Sequence, residues 1–372
     1  MKRTILVSGM MAGDPHHGGA TWAVLQYLLG FRRLGHEVVF VEPVKTLPPA
    51  SAAYFREVVA DFGLERNAAL LLAGTRETVG LGYDELLTAA KRCDVLFNIS
   101  GMLADPALLE PVPRRVYLDL DPAFIQLWHA EYGIDMRFDA HTHFVTVGLA
   151  LGSASCPVPT CGREWLTTLQ PIVLDEWPVG NGIATDALTT VGSWRGYGSV
   201  EFRGEHYGQR AHSMRRFFEL PRRTSETLAP ALAIHLDEKP DLAALAENGW
   251  RLLDPAAVAG TPARYRDFVR GSKGEFGIAK SGYVASRCGW FSDRSACYLA
   301  SGRPVLAQDT GFGEFLPVGE GLFAFDSIET ALAGIEAMNR DYARHSRAAR
   351  ALAESHFDSD KVLSRLLERV AA

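Results

Sequence analysis

A short segment near residue 290 carries the residue types that bind an anion at a helix end. Ser292 occupies an N-cap position, Asp293 follows it in the first turn, and a glycine stands nine residues further on. The pattern predicts a short helix over 293–301. Its first turn exposes backbone N–H groups and contains Arg294 and Ser295, so this end suits a diphosphate. Ordinary capping with a solvated Arg294 is the other interpretation.

A second polar loop follows the next predicted strand. The strand is RPVLAQ, and Thr310 and Gly311 lie in the turn after it. Because the carboxyl ends of parallel strands meet at one edge of a sheet, this turn is expected to face the same ligand as the helix N-terminus. The two loops together favour a phosphate-binding site over simple capping.

The size and composition of the chain limit the classes of protein that it can be. With 372 residues the chain exceeds the roughly 250–300 residues of a single core, which predicts two domains. A hydrophobic fraction of 47% and a charged fraction of 22% indicate a folded protein. The net charge of -6, with no long Lys/Arg block, argues against nucleic acid or an anionic membrane as a partner.

Cysteine usage and hydropathy indicate the compartment. The five cysteines are an odd number in a large chain, which favours reduced thiols and a cytoplasmic protein. No stretch approaches the roughly 20 apolar residues of a membrane span, so no transmembrane segment is expected. A zinc site from Cys156, Cys161, His141 and His143 is weighed, but the Cys spacing is wide and prolines lie between them. We therefore expect no metal.

The order of predicted elements indicates an α/β protein with two doubly wound, Rossmann-like domains. Strands and helices alternate through the N-terminal domain, 1–175, and again through the C-terminal domain, 189–350. The segment 176–188 is rich in Pro and Gly and lacks periodicity, as a linker would. A helical tail, 351–372, completes the chain.

Two stretches of the sequence resemble the GT-B-fold glycosyltransferases. The order of a helix, LASGRPVLAQDTG and the apolar strand GLFAF is similar to their nucleotide-sugar-binding half. The segment HHGGATWAVLQYLLGFRRLGHEVVFVE is similar to their first βαβ unit. The resemblance implies an acceptor on the N-terminal domain and a nucleotide-sugar donor on the C-terminal domain. It also implies a small-molecule or lipid-linked acceptor and a reaction without a cofactor.

The resemblance assigns donor-binding roles to several residues. Gly18 and Gly19 match a Gly-Gly loop whose missing side chains let the backbone approach the donor or acceptor, although a loop that needs a positive φ is the plainer explanation. Arg210 is the better match, and Arg195 the weaker, for a basic pair on the donor diphosphate. Lys280 follows a strand and is either a further phosphate ligand or a solvated loop lysine.

One family feature is missing from the chain. Many retaining members carry two glutamates separated by seven residues, and the matching positions here are Gly289 and Cys297. Glu275 and Glu314 lie nearby, but neither fits the spacing. The retaining subtype is therefore not supported, and the stereochemistry stays open.

Glycosyl transfer by direct displacement needs a base for the acceptor proton, and the N-terminal domain offers four candidates. His16 and His17 directly follow the first strand, where inverting members of the fold often keep a catalytic histidine. Asp121 and His143 belong to other predicted strands of that domain, and His143 shares a strand face with His141. For each histidine a buried, hydrogen-bonded role is the alternative.

Three function classes fit these residues. The leading one is a glycosyltransferase, and the second is a nucleotide-sugar 2-epimerase, which needs no acceptor. The third is a non-catalytic sugar-nucleotide-binding protein. A Rossmann dehydrogenase is disfavoured because GMMAGDPHHGG lacks the Gly-x-Gly-x-x-Gly spacing. The sequence does not identify the nucleobase, the sugar, the acceptor or the oligomeric state.

Overall fold

The computed structural model describes residues 2–371, and a parallel sheet of eight strands organises the first half. Its order is β4-β3-β2-β1-β5-β6-β7-β8, in which β4 alone is antiparallel to its neighbour. The strands are β1 (Thr4–Ser8), β2 (Glu37–Val44), β3 (Ala68–Leu72), β4 (Thr78–Gly80), β5 (Val95–Ile99), β6 (Arg114–Asp119), β7 (His143–Thr146) and β8 (Trp165–Thr167).

The second half contains a five-stranded sheet in which all strands are parallel. Its order is β12-β9-β13-β14-β15, and a separate hairpin consists of β10 and β11. These strands are β9 (Thr185–Ser193), β10 (Val200–Phe202), β11 (Glu205–Tyr207), β12 (Leu228–Ala233), β13 (Ser272–Gly277), β14 (Val305–Gln308) and β15 (Leu322–Phe325).

Fourteen α-helices are assigned over residues 2–371. They are α1 (Gly18–Arg33), α2 (Pro49–Asp61), α3 (Tyr83–Arg92), α4 (Pro106–Leu109), α5 (Phe124–Tyr132), α6 (Arg210–Arg215), α7 (Lys239–Glu247), α8 (Pro255–Ala259), α9 (Pro262–Gly271), α10 (Ser281–Ser286), α11 (Asp293–Ala300), α12 (Ile328–Arg340), α13 (Tyr342–Leu352) and α14 (Ser359–Ala371). No helix among the described residues is long and apolar enough to cross a membrane.

Both sheets reverse their strand order near the middle, and the reversal sets where a ligand can bind. In the first sheet β2 and β5 flank β1, and in the second β12 and β13 flank β9. Such a reversal opens a crevice at the carboxyl ends of the strands, because the following loops diverge there. The strands themselves are apolar and buried, as expected for parallel strands covered on both faces.

The C-terminal helix packs on the first half of the molecule. Its apolar residues recur at helical spacing, and it lies against α1, where a Cβ on Gly30 would come within 2.5 Å of the Leu363 side chain. The backbone of Ile172 holds the turn before this helix: its N–H donates to Phe357 O (2.6 Å), and its carbonyl accepts from Ser359 N (2.9 Å). The predicted tail is therefore part of the first half in space.

The two halves share apolar cores along two seams. In the first, α1 packs against α9, and Trp22 Nε1 donates to Pro262 O at 2.8 Å. In the second, the β10–β11 hairpin buries Phe202 and Tyr207 in one cluster with Phe124 of α5. An interface of this apolar character holds two domains in one arrangement better than a polar one does.

The first seam yields a stability prediction. A Cβ on Gly18 would lie 2.3 Å from the carbonyl oxygen of Thr261, which is backbone and cannot rotate away. We expect Gly18→Ala to lower the free energy of unfolding by about 1–3 kcal/mol through overpacking. Gly198→Ala is the control, since a Cβ there meets nothing within 4 Å. Equal urea midpoints for the two variants would contradict the close approach.

Candidate active site

A cavity of about 620 Å³ lies between the two halves, within the size range of ligand sites. The loop after β1 and the first turns of α1 form one wall, and the carboxyl ends of β9, β12 and β13 with α11 form the other. The lining residues are Met10, Asp14, His16, His17, Gly18, Gly19, Ala20, Ala23, Val191, Gly192, Ser193, Ala233, Pro255, Ala256, Ala259, Tyr265, Lys280, Asp293 and Arg294.

A buried carboxylate fixes the loop after β1. Glu42 of β2 is fully buried and accepts hydrogen bonds from the backbone N–H groups of Met11 (3.0 Å), Ala12 (2.8 Å) and Gly13 (2.6 Å). Burial raises the pKa of Glu42, and the three amides oppose this rise by stabilising the carboxylate. The loop therefore enters the cavity in a defined conformation. Glu42 was not among the residues predicted from the sequence.

Both histidines of this loop lie at the cavity, in different environments. His17 is the N-cap residue of α1, and its Nδ1 lies 3.2 Å from Asp14 Oδ2. His16 has a left-handed backbone (φ 66°) and packs edge-on against the ring of Tyr54, with 5.2 Å between the ring centroids. His17 is therefore the histidine that a carboxylate orients, as a general base requires.

Gly18 and Gly19 line the cavity in the first turn of α1. Neither has a positive φ, which removes the plainer explanation considered from the sequence. A Cβ on Gly19 would lie 2.9 Å from the ring of Tyr265, and Gly18 abuts the backbone of the second half. The absent side chains let α1 approach the second half closely. Whether they also let a donor approach stays a prediction.

Arg210 is a buried cation with unsatisfied nitrogens. It opens α6, and its Nε and Nη1 have no hydrogen-bond partner among residues 2–371. A Cβ on Gly192, at the cavity wall, would lie 2.0 Å from Nη1, so the guanidinium lies directly behind that glycine. Burial and the nearby Arg294 lower the pKa of Arg210 to about 9. Arg210 itself is not among the residues that line the cavity, and it reaches the cavity wall only at Gly192.

Arg294 is paired within the protein. Its Nε donates to Glu275 Oε1 (2.5 Å), and its Nη1 donates to the carbonyl of Val191 (3.0 Å). Burial disfavours the charge, and the carboxylate of Glu275 more than offsets this, so the pKa of Arg294 is raised. This arginine lines the cavity, but its charge is largely neutralised by its partner.

Lys280 and Asp121 form an ion pair across the two halves. Lys280 Nζ lies 3.2 Å from both carboxylate oxygens of Asp121 and within 5.1 Å of the ring centroids of Phe124, Tyr197 and Tyr283. Both tyrosine hydroxyls donate to the same carboxylate. Burial lowers the pKa of Lys280, and Asp121 opposes the shift. Asp121 is therefore occupied as a partner of this cation, which does not favour its predicted role as a base.

The helix predicted over 293–301 is α11, Asp293–Ala300, with Ser292 as its N-cap. The Ser292 side chain makes no capping bond, and Ser292 and Ser295 are buried beside a void of only about 10 Å³. Burial raises the pKa of Asp293, and Arg294 together with the backbone amides of residues 293 and 294 opposes the rise. The side chain of Asp293 thus takes the place at the helix end that was predicted for phosphate.

Three further predicted residues lie outside the cavity. Thr310 is buried and donates to the carbonyl of Trp290, and Gly311 adopts φ 92° to begin the turn that follows. These two residues therefore shape a loop. His143 is the first residue of β7, pairs in register with Val116, and contacts Thr142 Oγ1 (2.8 Å). It therefore lies at the amino end of β7, away from the carboxyl edge of the sheet. Alternation predicts the face of a strand on which a residue lies, but not the end of the strand at which it lies.

The residues considered above as zinc ligands do not come together as a metal site. His141 is buried between Asn98 Nδ2 (3.0 Å) and the carbonyl of Arg137 (2.8 Å), and burial lowers its pKa to about 4. Across residues 2–371 no group of three or more His, Cys, Asp or Glu side chains is arranged to hold a metal ion. All five cysteines are free thiols.

Two buried donors beside the cations were not predicted. Gln209 Nε2 and Ser281 Oγ lack partners in the described part of the chain, and the Ser281 N–H donates to Gln209 O at 3.4 Å. Gln209 directly precedes Arg210, and Ser281 directly follows Lys280. Their adjacency to two predicted cations was the signal that could have identified them.

Solved glycosyltransferase structures resemble this chain over nearly its whole length. An α-glucosyltransferase solved with UDP-glucose and DNA containing an abasic site has a TM-score of 0.64 at 12% identity, and covers 99% of this chain and 98% of its own. HepE from Anabaena, with UDP and glucose, gives 0.59 at 11% identity and 100% of both chains. A glycosyltransferase from Rickettsia africae gives 0.57 at 11%, covering 99% and 98%.

These likenesses confirm the predicted fold class. The chain has the two-domain GT-B fold, and identities of 11–12% establish the fold alone. No family model matches the chain. No curated protein matches it either. The first neighbour was solved with DNA, which conflicts with the expectation that nucleic acid is not a partner.

Replacing the buried Arg210 and replacing the buried Arg294 are expected to change stability in opposite directions. Arg210→Met removes a buried charge without a partner, so we expect the free energy of unfolding to rise by about 1 kcal/mol or more. Arg294→Met leaves the carboxylate of Glu275 buried alone, so we expect a loss of about 3–5 kcal/mol. Urea unfolding of the ligand-free protein measures both. Comparable losses in the two variants would show that Arg210 has a partner in solution.

Proposed function

We propose that this protein is a glycosyltransferase that moves a sugar from a UDP-sugar to a hydroxyl group of an acceptor in the cavity. The observation that carries the proposal is the buried guanidinium of Arg210. Its Nε and Nη1 have no hydrogen-bond partner in residues 2–371, and its Nη1 lies against Gly192 at the cavity wall. The carboxylates of Glu275 and Asp293 favour the charge of Arg210 without a hydrogen bond to it, and buried N–H groups that lack an acceptor indicate an anionic ligand. The UDP complexes of structures with the same fold support a nucleoside diphosphate as that anion.

The leaving diphosphate needs positive charge, and the second half supplies it. We propose that Arg210, which reaches the cavity wall at Gly192, binds a phosphate oxygen together with Lys280, which lines the cavity. Guanidinium and ammonium groups stabilise the charge that develops on the leaving group as the bond to the sugar breaks. We propose that these cations do so without a metal ion.

We propose that His17 is the base that takes the proton of the acceptor hydroxyl group. Its Nδ1 faces Asp14 at the cavity, which leaves Nε2 for an incoming hydroxyl group. As the acceptor oxygen attacks the anomeric carbon, Nε2 takes the hydroxyl proton, and the bond from the anomeric carbon to the diphosphate oxygen breaks. The Asp14 carboxylate stabilises the imidazolium that forms. This step separates the proposal from an epimerase, which would release no UDP in response to an acceptor.

We propose a small-molecule or lipid-linked acceptor and a cytoplasmic location. The cavity wall formed by the first half is small and mixed in polarity, with Met10 partly exposed beside Asp14. The free thiols fit a reducing compartment. A mobility-shift assay with a DNA duplex tests nucleic acid as the acceptor. Its result does not depend on whether the proposed donor site in the second half is correct.

Arg210 should determine the affinity for the diphosphate. We expect Arg210→Met to weaken UDP binding about 10- to 100-fold in calorimetry, because a charge-assisted hydrogen bond to phosphate is lost. Arg195→Met is the control, since Arg195 already pairs with Glu238, whereas Nε and Nη1 of Arg210 have no partner in residues 2–371. Unchanged UDP affinity in Arg210→Met would contradict the proposed donor site.

His17 should affect turnover and not donor binding. We expect His17→Ala to lower kcat for sugar transfer about 100-fold or more, with the affinity for UDP unchanged, because a general base contributes roughly that much. The matched control is His206→Ala, which removes another exposed histidine paired with a carboxylate, Glu201, away from the cavity. Full turnover in His17→Ala, measured as UDP released in the presence of acceptor, would reassign the base.

A further inference from the structure

A small chamber adjoins the main cavity between α1 and the N-terminus of α11. Its volume is about 90 Å³, and Ala23 and Asp293 line both spaces, so the two are neighbours. We call it the side chamber and define it by Tyr27, Gln170, Trp290 and Asp293. The volume is enough for several groups of the size of water, such as sugar hydroxyls, and too small for a nucleotide.

The side chamber is lined by a tyrosine whose hydroxyl group has no partner. Tyr27 is 1% exposed, and its Oη has no hydrogen-bond partner among the described residues. A buried hydroxyl without a partner is disfavoured, and most such groups in folded proteins are paired with protein, water or ligand. The atom therefore marks a place for a polar group that the chain itself does not supply.

The remaining walls present the chemistry that recognises carbohydrate. The carboxylate of Asp293 accepts hydrogen bonds, the buried amide of Gln170 both donates and accepts, and Trp290 contributes an aromatic surface. One face of Trp290 is already covered by Tyr283, with ring centroids 4.2 Å apart. An indole fixed in this way is a rigid wall. A neutral, hydroxylated ring edge fits this set, while a carboxylate on the sugar would be repelled by Asp293.

We propose that the side chamber receives hydroxyl groups of the donor's sugar, and that Tyr27 and Asp293 determine which neutral hexose is accepted. The inference rests on the proposed function, since it needs a UDP-sugar whose diphosphate lies in the main cavity. The chamber adjoins the main cavity at Ala23 and Asp293, so it is a neighbouring space into which the sugar of such a donor can extend. The uridine is left in the main cavity.

The test compares binding of a UDP-sugar with binding of UDP in two tyrosine variants. The probes are UDP, UDP-glucose, UDP-galactose and UDP-N-acetylglucosamine, and the sugar that wild type binds most tightly is carried forward. Tyr27→Phe should weaken that UDP-sugar about 10-fold and leave the affinity for UDP unchanged, because only the sugar reaches the lost hydroxyl. The melting temperature of the free variant should not fall, since Oη has no partner to lose.

Tyr117→Phe is the matched control. Its Oη is likewise buried and unpaired within residues 2–371, but Tyr117 lies in the core of the first half and lines neither space. It should bind UDP and the UDP-sugar as wild type does. Equal affinities of Tyr27→Phe and wild type for the UDP-sugar would overturn the side-chamber proposal alone, as would an equal loss for UDP and the UDP-sugar. Failure of wild type to bind UDP at all would overturn the proposed function, and this inference with it.

Discussion

The close approach of α1 to the second half is the constraint on which the cavity depends. The amino end of α1 meets backbone at Thr261 and an aromatic ring at Tyr265, and only glycine leaves room at positions 18 and 19. Trp22, one turn later, is bonded to the carbonyl of Pro262. This seam sets the distance between the histidines that precede it and the cations across the cavity. Side chains at positions 18 and 19 would separate the histidines from the cations across the cavity by the thickness of a side chain.

Several charges around the cavity have partners within the protein. The carboxylate of Glu42 is satisfied by three amides, Arg294 pairs with Glu275, and Lys280 pairs with Asp121. Each pairing is a rigid element, because breaking it would leave a buried charge without compensation. Arg210, which lies against Gly192 of the cavity wall, has no hydrogen-bond partner for Nε and Nη1 in residues 2–371. Such unpaired N–H groups beside the site are suited to an external anion.

Local patterns in the sequence predicted much of this arrangement. Capping signals predicted a helix over 293–301, and α11 spans Asp293–Ala300. Ser292 is the N-cap residue although its side chain makes no capping bond, and Gly302 adopts a positive φ just after the helix. The same holds for His16 to Gly19, which follow an apolar strand and lie at a carboxyl edge as parallel topology requires. Such features depend on neighbours a few residues away, which a single sequence displays.

The roles of individual charged residues depend on partners far away in the chain, and local patterns do not show those partners. Lys280 pairs with Asp121, 159 positions away, and Arg195 pairs with Glu238, so two residues predicted as phosphate ligands are both occupied by carboxylates that the local sequence does not show. Local patterns also do not show the position of a residue along its strand. His143 was predicted to share a strand face with His141, but it is the first residue of β7, and its ring lies near Thr142 and not at the carboxyl edge. Alternation predicts the face of a strand that a residue occupies, and only the pairing register with β6 decides which end of the sheet it reaches.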